Sequence, residues 1–252
     1  MITIALYNLK GGVGKTTAAV NLAHLCSMEN HSTLLFDMDP QGSASFYLRA
    51  KPDAKLNVSR LVNGGDKLEK SIRGSDYPHL DILPGDMSYR NINKLLRKKK
   101  HPKRHLQKVF QRFSTGFDFL FVDCPSSISI EAENVFRASD LILLPLIPTI
   151  LSMETKKSVY SFFRNRGFDE TLILPFFSMV DRRKKLHRVI VENNLSEDPR
   201  ILRSLIPFSS TIEKMGVSRR PCTVSTRSVG ALAFRELWVE VKQKLQINKV
   251  SV

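Results

Sequence analysis

The sequence predicts an α/β fold: a doubly wound, mostly parallel sheet flanked by helices. Three observations predict it. Short apolar runs alternate with longer helical ones along the chain. Several of the short runs are almost continuously apolar, as strands are when helices cover both faces of a sheet. A glycine-rich loop directly follows the first run and opens an amphipathic helix, which is how a backbone cradle for phosphate is built.

In order, the strand segments are Ile2 to Tyr7, Thr33 to Phe36, Leu80 to Leu83, Phe117 to Val122, Leu141 to Leu146 and Leu172 to Phe177, with Ser204 to Pro207 as a short addition. The helical segments are Lys15 to Met28, Asn91 to Lys98, Leu106 to Phe113, Glu131 to Ala138, Met153 to Arg166, Leu186 to Asn194 and Val229 to Leu245. Strand–helix alternation of this kind implies βαβ units. No repeat, low-complexity linker or boundary breaks the pattern, so residues 1–252 read as a single domain.

Composition narrows the class. With 42% hydrophobic and 25% charged residues the chain is globular in character. Cys26, Cys124 and Cys222 are odd in number and widely spaced, which excludes a disulfide framework and fits a reducing cytoplasm. Met1 to Tyr7 lacks the features of a leader, and no run of about 18 apolar residues is present. The formal charge of +15 favours an anionic polymer or surface as partner.

The chemistry concentrates at Lys10-Gly11-Gly12-Val13-Gly14-Lys15-Thr16-Thr17. Glycines let backbone N–H groups turn toward phosphate oxygens, and the helix starting at Lys15 aims its positive end at them. Lys15 neutralises β- and γ-phosphate charge, Thr16 offers a hydroxyl to Mg²⁺, and Thr17 is placed for the α-phosphate. Two more strands end in carboxylates: Leu34 to Phe36 runs into Asp37 and Asp39, and Phe119 to Val122 into Asp123. Carboxylates at strand C-termini suit a magnesium–water shell and a positioned attacking water. Any one alone reads as a turn or cap residue; three together after a phosphate loop read as a site. No guanine-reading Asn-Lys-x-Asp is present, since Asn93-Lys94-Leu95-Leu96 lacks the aspartate, which favours ATP.

These residues resemble the ParA/MinD family of deviant Walker A ATPases, closest to short, Soj-like partition ATPases. The likeness is carried by KGGVGKTT at 10–17, DMDPQG at 37–42, LDILPGD at 80–86, FDFLFVDCPSS at 117–127 and SDLILLPLIPT at 139–149. The stretch Ile206 to Glu240 resembles the family's closing region more loosely. The resemblance implies a P-loop NTPase fold of the deviant Walker type. It also implies that Lys10 crosses a dimer interface to the partner's phosphates, that Lys15 is the phosphate-loop lysine and that Thr16 is the magnesium ligand. Asp39 becomes the carboxylate that orients or activates water, also near the metal; Asp37 is its companion, and Asp123 lies on the magnesium shell. The Met179–Asp181 region and the backbone near Pro207 approach the base. Two departures stand out: Ser126 replaces a second proline, and Phe208 follows Pro207 where DNA-binding relatives often carry arginine, leaving Arg219 and Arg220 as substitutes.

The charge is unevenly placed. Residues 94–112 hold nine Lys or Arg and no acid, more than half of the surplus. Arg182-Arg183-Lys184-Lys185 forms a second run. A charge run is usually a solvated face; two runs in a family that often binds DNA point to non-specific duplex binding. Lys98, Lys99, Lys100, Arg182, Arg183, Arg219 and Arg220 are the candidate contacts. The family reading is then a slow ATPase, cytoplasmic and nucleoid-associated, that forms an ATP-sandwich homodimer and positions a plasmid, chromosome or protein assembly. A ParB-like or adaptor partner would stimulate hydrolysis. A MinD-like membrane-cycling role is the alternative, weakened because Leu245, Ile247, Val250 and Val252 give no clean helical stripe. An iron–sulfur relative would need paired cysteines that the sequence lacks.

Overall fold

The structure, a computed structural model, describes residues 1–52, 56–63 and 66–246. Its eight strands form one sheet. They are β1 (Ile2–Leu6), β2 (Thr33–Asp37), β3 (Arg73–Gly74), β4 (Leu80–Leu83), β5 (Phe119–Asp123), β6 (Leu141–Leu146), β7 (Ile173–Val180) and β8 (Leu202–Pro207). Their order is β3-β4-β2-β5-β1-β6-β7-β8. All pairings are parallel except β3 with β4. All seven expected strands form. The unexpected β3 is two residues long and has no apolar run to announce it.

Strand side chains alternate between two cores. Ala5 of β1 faces one, with Leu34, Phe36 and Val122; Ile4 and Leu6 face the other, with Leu35 and Phe121. The first core is closed by α5 (Ile92–Leu96), α6 (His105–Gln111), α7 (Ile130–Ala138), α8 (Ile150–Arg166) and α9 (Lys185–Glu197). An aromatic cluster of Tyr7, Phe136, Phe163 and Phe168 anchors it, with ring centroids 4.6–5.9 Å apart from Phe136. The second core is closed by α1 (Lys15–Met28) and α12 (Val229–Lys244), where Trp238 meets Phe119 and Phe121 at about 6 Å.

Local chemistry fixes the helix ends. Ser129, Thr149 and Ser228 cap α7, α8 and α12 by accepting backbone N–H groups, and Gly167 stops α8 in a left-handed conformation at φ 64°. The first helix departs from the amphipathic pattern expected of it. Residues Ala18 through Ser27 of α1 are all buried, because α12 packs over the side facing away from the sheet. That burial is held by a polar hub at Asn21. Its side-chain oxygen accepts from the Thr223 N–H and hydroxyl, both at 3.1 Å, and its amide donates to the Thr17 carbonyl at 2.8 Å.

Short helices α2 (Ser43–Tyr47), α3 (Val58–Asn63), α4 (Asp66–Glu69), α10 (Ser210–Glu213) and α11 (Met215–Ser218) are too brief to show a 3.6-residue period. At the far edge, the Arg203 and Ser204 N–H groups of β8 donate to the Glu240 carboxylate at 2.8 and 2.6 Å. Among the described residues no helix is long and apolar enough to cross a membrane. Residues 247–252, and with them Ile247, Val250 and Val252, lie outside the described region.

The topology fixes where a ligand belongs. The chain leaves β1 for β2 on one side, then returns from β5 across β1 to β6 on the other. The order reverses beside β1, and in open α/β sheets the crevice at the strand C-termini near such a reversal is the binding position.

Candidate nucleotide site

The loop after β1 occupies that crevice. Asn8 pins its start: the buried amide donates to the Pro145 carbonyl at the end of β6 (2.7 Å), and its oxygen accepts the Lys10 N–H (2.8 Å). Gly12 and Gly14 have φ of 71° and 94°, a region that strains any side chain. A Cβ on Gly14 would also lie 2.8 Å from the Ser178 hydroxyl of β7, so glycine is needed there on two counts. Gly11 and Gly12 are exposed and Lys10 is partly so, while Val13 is buried. The first helical bond of α1 runs from the Ala18 N–H to the Gly14 carbonyl, which leaves the N–H groups of Lys15, Thr16 and Thr17 pointing out of the helix start. This is an anion cradle.

Lys15 is buried, at 7% exposure. Its ammonium donates to the Lys10 carbonyl (3.3 Å) and to the Ser126 hydroxyl. Burial lowers its pKa, and Asp123, Cys124 and Asp39 oppose that shift. Ser126, where the family commonly has proline, therefore touches the phosphate lysine directly.

Three carboxylates converge opposite. Asp37 and Asp123 are cross-strand neighbours at the ends of β2 and β5, and both are buried. Asp37 accepts the Ser45 N–H (2.8 Å) and hydroxyl (2.6 Å); the same hydroxyl accepts the Gly85 N–H (2.9 Å). Burial pushes the Asp37 carboxyl up to about 6, with Ser45 pulling it down and Asp39 adding to the rise. Burial and then Asp37 hold Asp123 well above the usual carboxylate range, against the pull of the Thr16 hydroxyl and Lys15. Asp39 lies half-exposed on the turn after β2 and accepts the Gln41 N–H at 2.9 Å.

Both oxygens of Asp123 and one of Asp37 are buried without a hydrogen-bond partner. Unpartnered carboxyl oxygens beside the Thr16 hydroxyl fit a hard cation with its water shell, which would favour their ionised form. No group of three or more His, Cys, Asp or Glu among the described residues forms a metal cage by itself. Mg²⁺ keeps several waters and takes its remaining ligands from substrate phosphates, so it needs few protein ligands.

The region expected near the base is assembled as well. The Phe208 N–H donates to the Val180 carbonyl (3.0 Å), Val180 pairs with Pro207, and Met179 holds a left-handed φ of 55°. Through Ser178 this strand end abuts Gly14.

The expected nucleic-acid contacts are not equally available. Lys98, Lys100, Arg182 and Arg220 are exposed. Arg183 forks onto Asp181 at 2.9 and 3.0 Å and pulls that carboxyl down to about 2. Arg219 stacks on Phe46 at 4.6 Å and donates to its carbonyl at 3.0 Å, so its guanidinium is committed to the fold. Lys99 donates to the Asn63 side chain.

Sequence reasoning missed Asn8, Ser45 and Glu131, and gave Gly85 and Ser126 no role. Glu131, in the first turn of α7, is a buried carboxyl that burial, with Asp39 nearby, pushes up to about 8.

A glycine-rich loop closing on a buried lysine, opposite paired carboxylates at neighbouring strand ends, defines a P-loop nucleotide hydrolase. The family model described as an AAA domain (AAA_31) matches residues 1–166, and the chain belongs to that family; within it, it is an ATPase of the ParA/MinD type. The chromosome-partitioning ATPase Soj of Treponema pallidum is 26% identical over 250 residues, covering 95% of this chain and 96% of its own. A plasmid partition protein from Borrelia burgdorferi shares the fold at TM-score 0.79 and 20% identity, over 96% of this chain and 98% of its own. The septum site-determining protein MinD of Pyrococcus horikoshii, solved with Mg-ADP, does so at TM-score 0.78 and 22% identity, over 100% and 99%.

Proposed function

We propose that this chain is a nucleotide-driven positioning ATPase of the partition kind, working as one domain. It would bind ATP and Mg²⁺, pair with a second copy across the bound nucleotides, hold nucleic acid without reading its sequence, and release it on hydrolysis. The observation that carries this reading is the placement of Lys10. It is partly exposed beside the exposed Gly11 and Gly12, while its carbonyl is already held by Lys15 within the same chain. One lysine is thus committed inward, and the other is free to reach a facing copy.

Phosphoryl transfer asks a protein for position and charge more than for covalent chemistry. In this reading Lys15 and the N–H groups of Gly11 to Thr17 hold the β- and γ-phosphates, Thr16 offers its hydroxyl to Mg²⁺, and Asp123 orders the metal's waters from behind. Mg²⁺, when bound there, would supply charge neutralisation to the phosphates. Asp39, the least buried of the three carboxylates, orients the attacking water; Asp37 braces its turn. The surplus of +15 supports an anionic polymer as cargo track, and a ParB-like or other adaptor as the stimulating partner follows from the partition relatives. A cytoplasmic, nucleoid-associated location belongs to the same proposal.

Asp39→Ala tests it. ATP affinity should stay within about threefold of wild type while turnover falls at least about a hundredfold, and a dimer should persist with ATP by light scattering. Unchanged turnover would mean that Asp39 does not orient the attacking water.

A further inference from the structure

The residues between α5 and α6 form more than a charged surface. A cleft of about 690 Å³ opens there, lined by Lys99, Lys100, Arg104, His105, Lys108 and the Gln107 and Gln111 amides, with no carboxylate among the described residues of its wall. Within α6, Gln111 stands three and four residues beyond Lys108 and Gln107, so these three share one stripe, and Arg104 stands at the cap position just before the helix. Two of the lining residues also tie this segment to α3: His105 meets the Val62 carbonyl at 2.6 Å, and Lys99 meets Asn63. Lys100, Arg104 and Lys108 remain exposed. Nearby Lys103 is turned away onto Glu133 at 3.2 Å.

The shape says what kind of anion fits. From residue 104 to 111 a helix advances about 10 Å at 1.5 Å per residue. A single phosphate would use one end of such a row. A nucleic-acid strand, with a phosphate every 3.4 Å or so along the duplex axis, meets all of it. Amides interleaved with the cations add donors for phosphate and sugar oxygens.

The cleft is also tied to the nucleotide site. Buried Asn134 of α7 donates to the Pro102 carbonyl (2.6 Å) and accepts the Leu106 N–H (3.0 Å), clamping the turn before α6 to α7. The Glu131 N–H donates to Asn93 of α5 at 2.9 Å. The same α7 begins at Ile130, a short loop beyond the orphaned carboxylate of Asp123.

We propose that the cleft between the α5–α6 connection and α6, through Lys100, Arg104 and Lys108, is the docking site for the phosphodiester backbone of nucleic acid in this chain. The inference rests on the nucleic-acid reading above and sharpens it: the Arg182–Arg183 run and the Arg219–Arg220 turn are secondary.

The test is a salt series of ATP-dependent binding to a mixed-sequence duplex. It compares the full chain, the triple variant Lys100→Gln/Arg104→Gln/Lys108→Gln, and the double variant Arg182→Gln/Arg220→Gln. All five positions are exposed, and a thermal melt checks that each variant is folded. The slope of log affinity against log salt should fall by about 2.7 in the triple variant, at about 0.9 per lost contact, with affinity down at least tenfold at about 0.1 M salt. The double variant should change little. A triple variant that keeps the wild-type slope while the wild type binds would overturn the cleft assignment alone. A wild type that binds no duplex under any salt would overturn the parent reading. Loss of binding to anionic phosphatidylglycerol vesicles in the triple variant, with duplex binding intact, would reassign the cleft to a lipid surface.

Discussion

Gly85 is the residue whose replacement reports most directly on how the water-orienting turn is held. It follows β4 and packs where the turn after β2 comes closest. A Cβ built there would lie 2.7 Å from the Asp39 carbonyl, 3.0 Å from the Asp37 carboxyl carbon and 3.0 Å from the Gly42 Cα. Ordinary contacts to a Cβ begin near 3.4 Å, so Gly85→Ala must push the Asp39 backbone away by about 0.7 Å. None of the three neighbours is the loose end of a flexible side chain, so relief must come from moving the turn itself. Overpacking of this kind costs about 1–3 kcal/mol, roughly 3–10 °C in melting temperature for a chain of this length. A displacement approaching 1 Å at a group that aligns a reacting water costs about a hundredfold in rate. Melting by circular dichroism and phosphate release at saturating MgATP measure the two effects. Gly116→Ala is the control, since its Cβ would meet nothing within 4 Å. If Gly85→Ala melts and turns over as Gly116→Ala does, the Gly85 contact does not set the position of Asp39.

Two further outcomes concern residues the loop motif does not contain. The folded chain binds a proton at Glu131 up to about pH 8, whereas the unfolded chain releases it near the ordinary value of 4.5. Stability is therefore greatest below about pH 4.5 as far as this group contributes, and declines by a few kcal/mol as pH rises through about 8. Glu131→Gln should flatten that slope in urea titrations across pH, and an unaltered slope would exclude Glu131 as its source. Ser126→Ala removes an acceptor that competes with phosphate for Lys15. Nucleotide should bind several-fold tighter in a fluorescence titration, corresponding to about 1 kcal/mol, and weaker binding would contradict the competition.

Local pattern carried the frame and failed where structure depends on distant residues. β2, β5 and β6 were legible because every residue in them is buried, which writes an unbroken apolar run. Asp37, Asp39 and Asp123 were legible because each terminates or follows such a run. The brace made by Ser45 and Gly85 was not: its members lie 8 and 48 positions from Asp37 and meet only once β4 docks on β2. The charge runs were visible as counts, but the sequence could not say that Arg183 and Arg219 are occupied within the fold. Nor could it show that Lys100, Arg104 and Lys108 gather around one cleft beside α6. α1 read as amphipathic because its outer cover, α12, arrives some two hundred residues later.

The edges of the sheet bear on assembly. At β8 two neighbouring backbone donors are already taken by Glu240, and the strand's last residue, Pro207, has none to offer. At the opposite margin β3 supplies only two residues, and they run against the rest. Neither margin offers a template along which another chain could add its backbone. Copies of this protein that gather into larger arrays must meet through side chains on their faces, so such arrays should loosen when salt is added instead of ripening into fibrils.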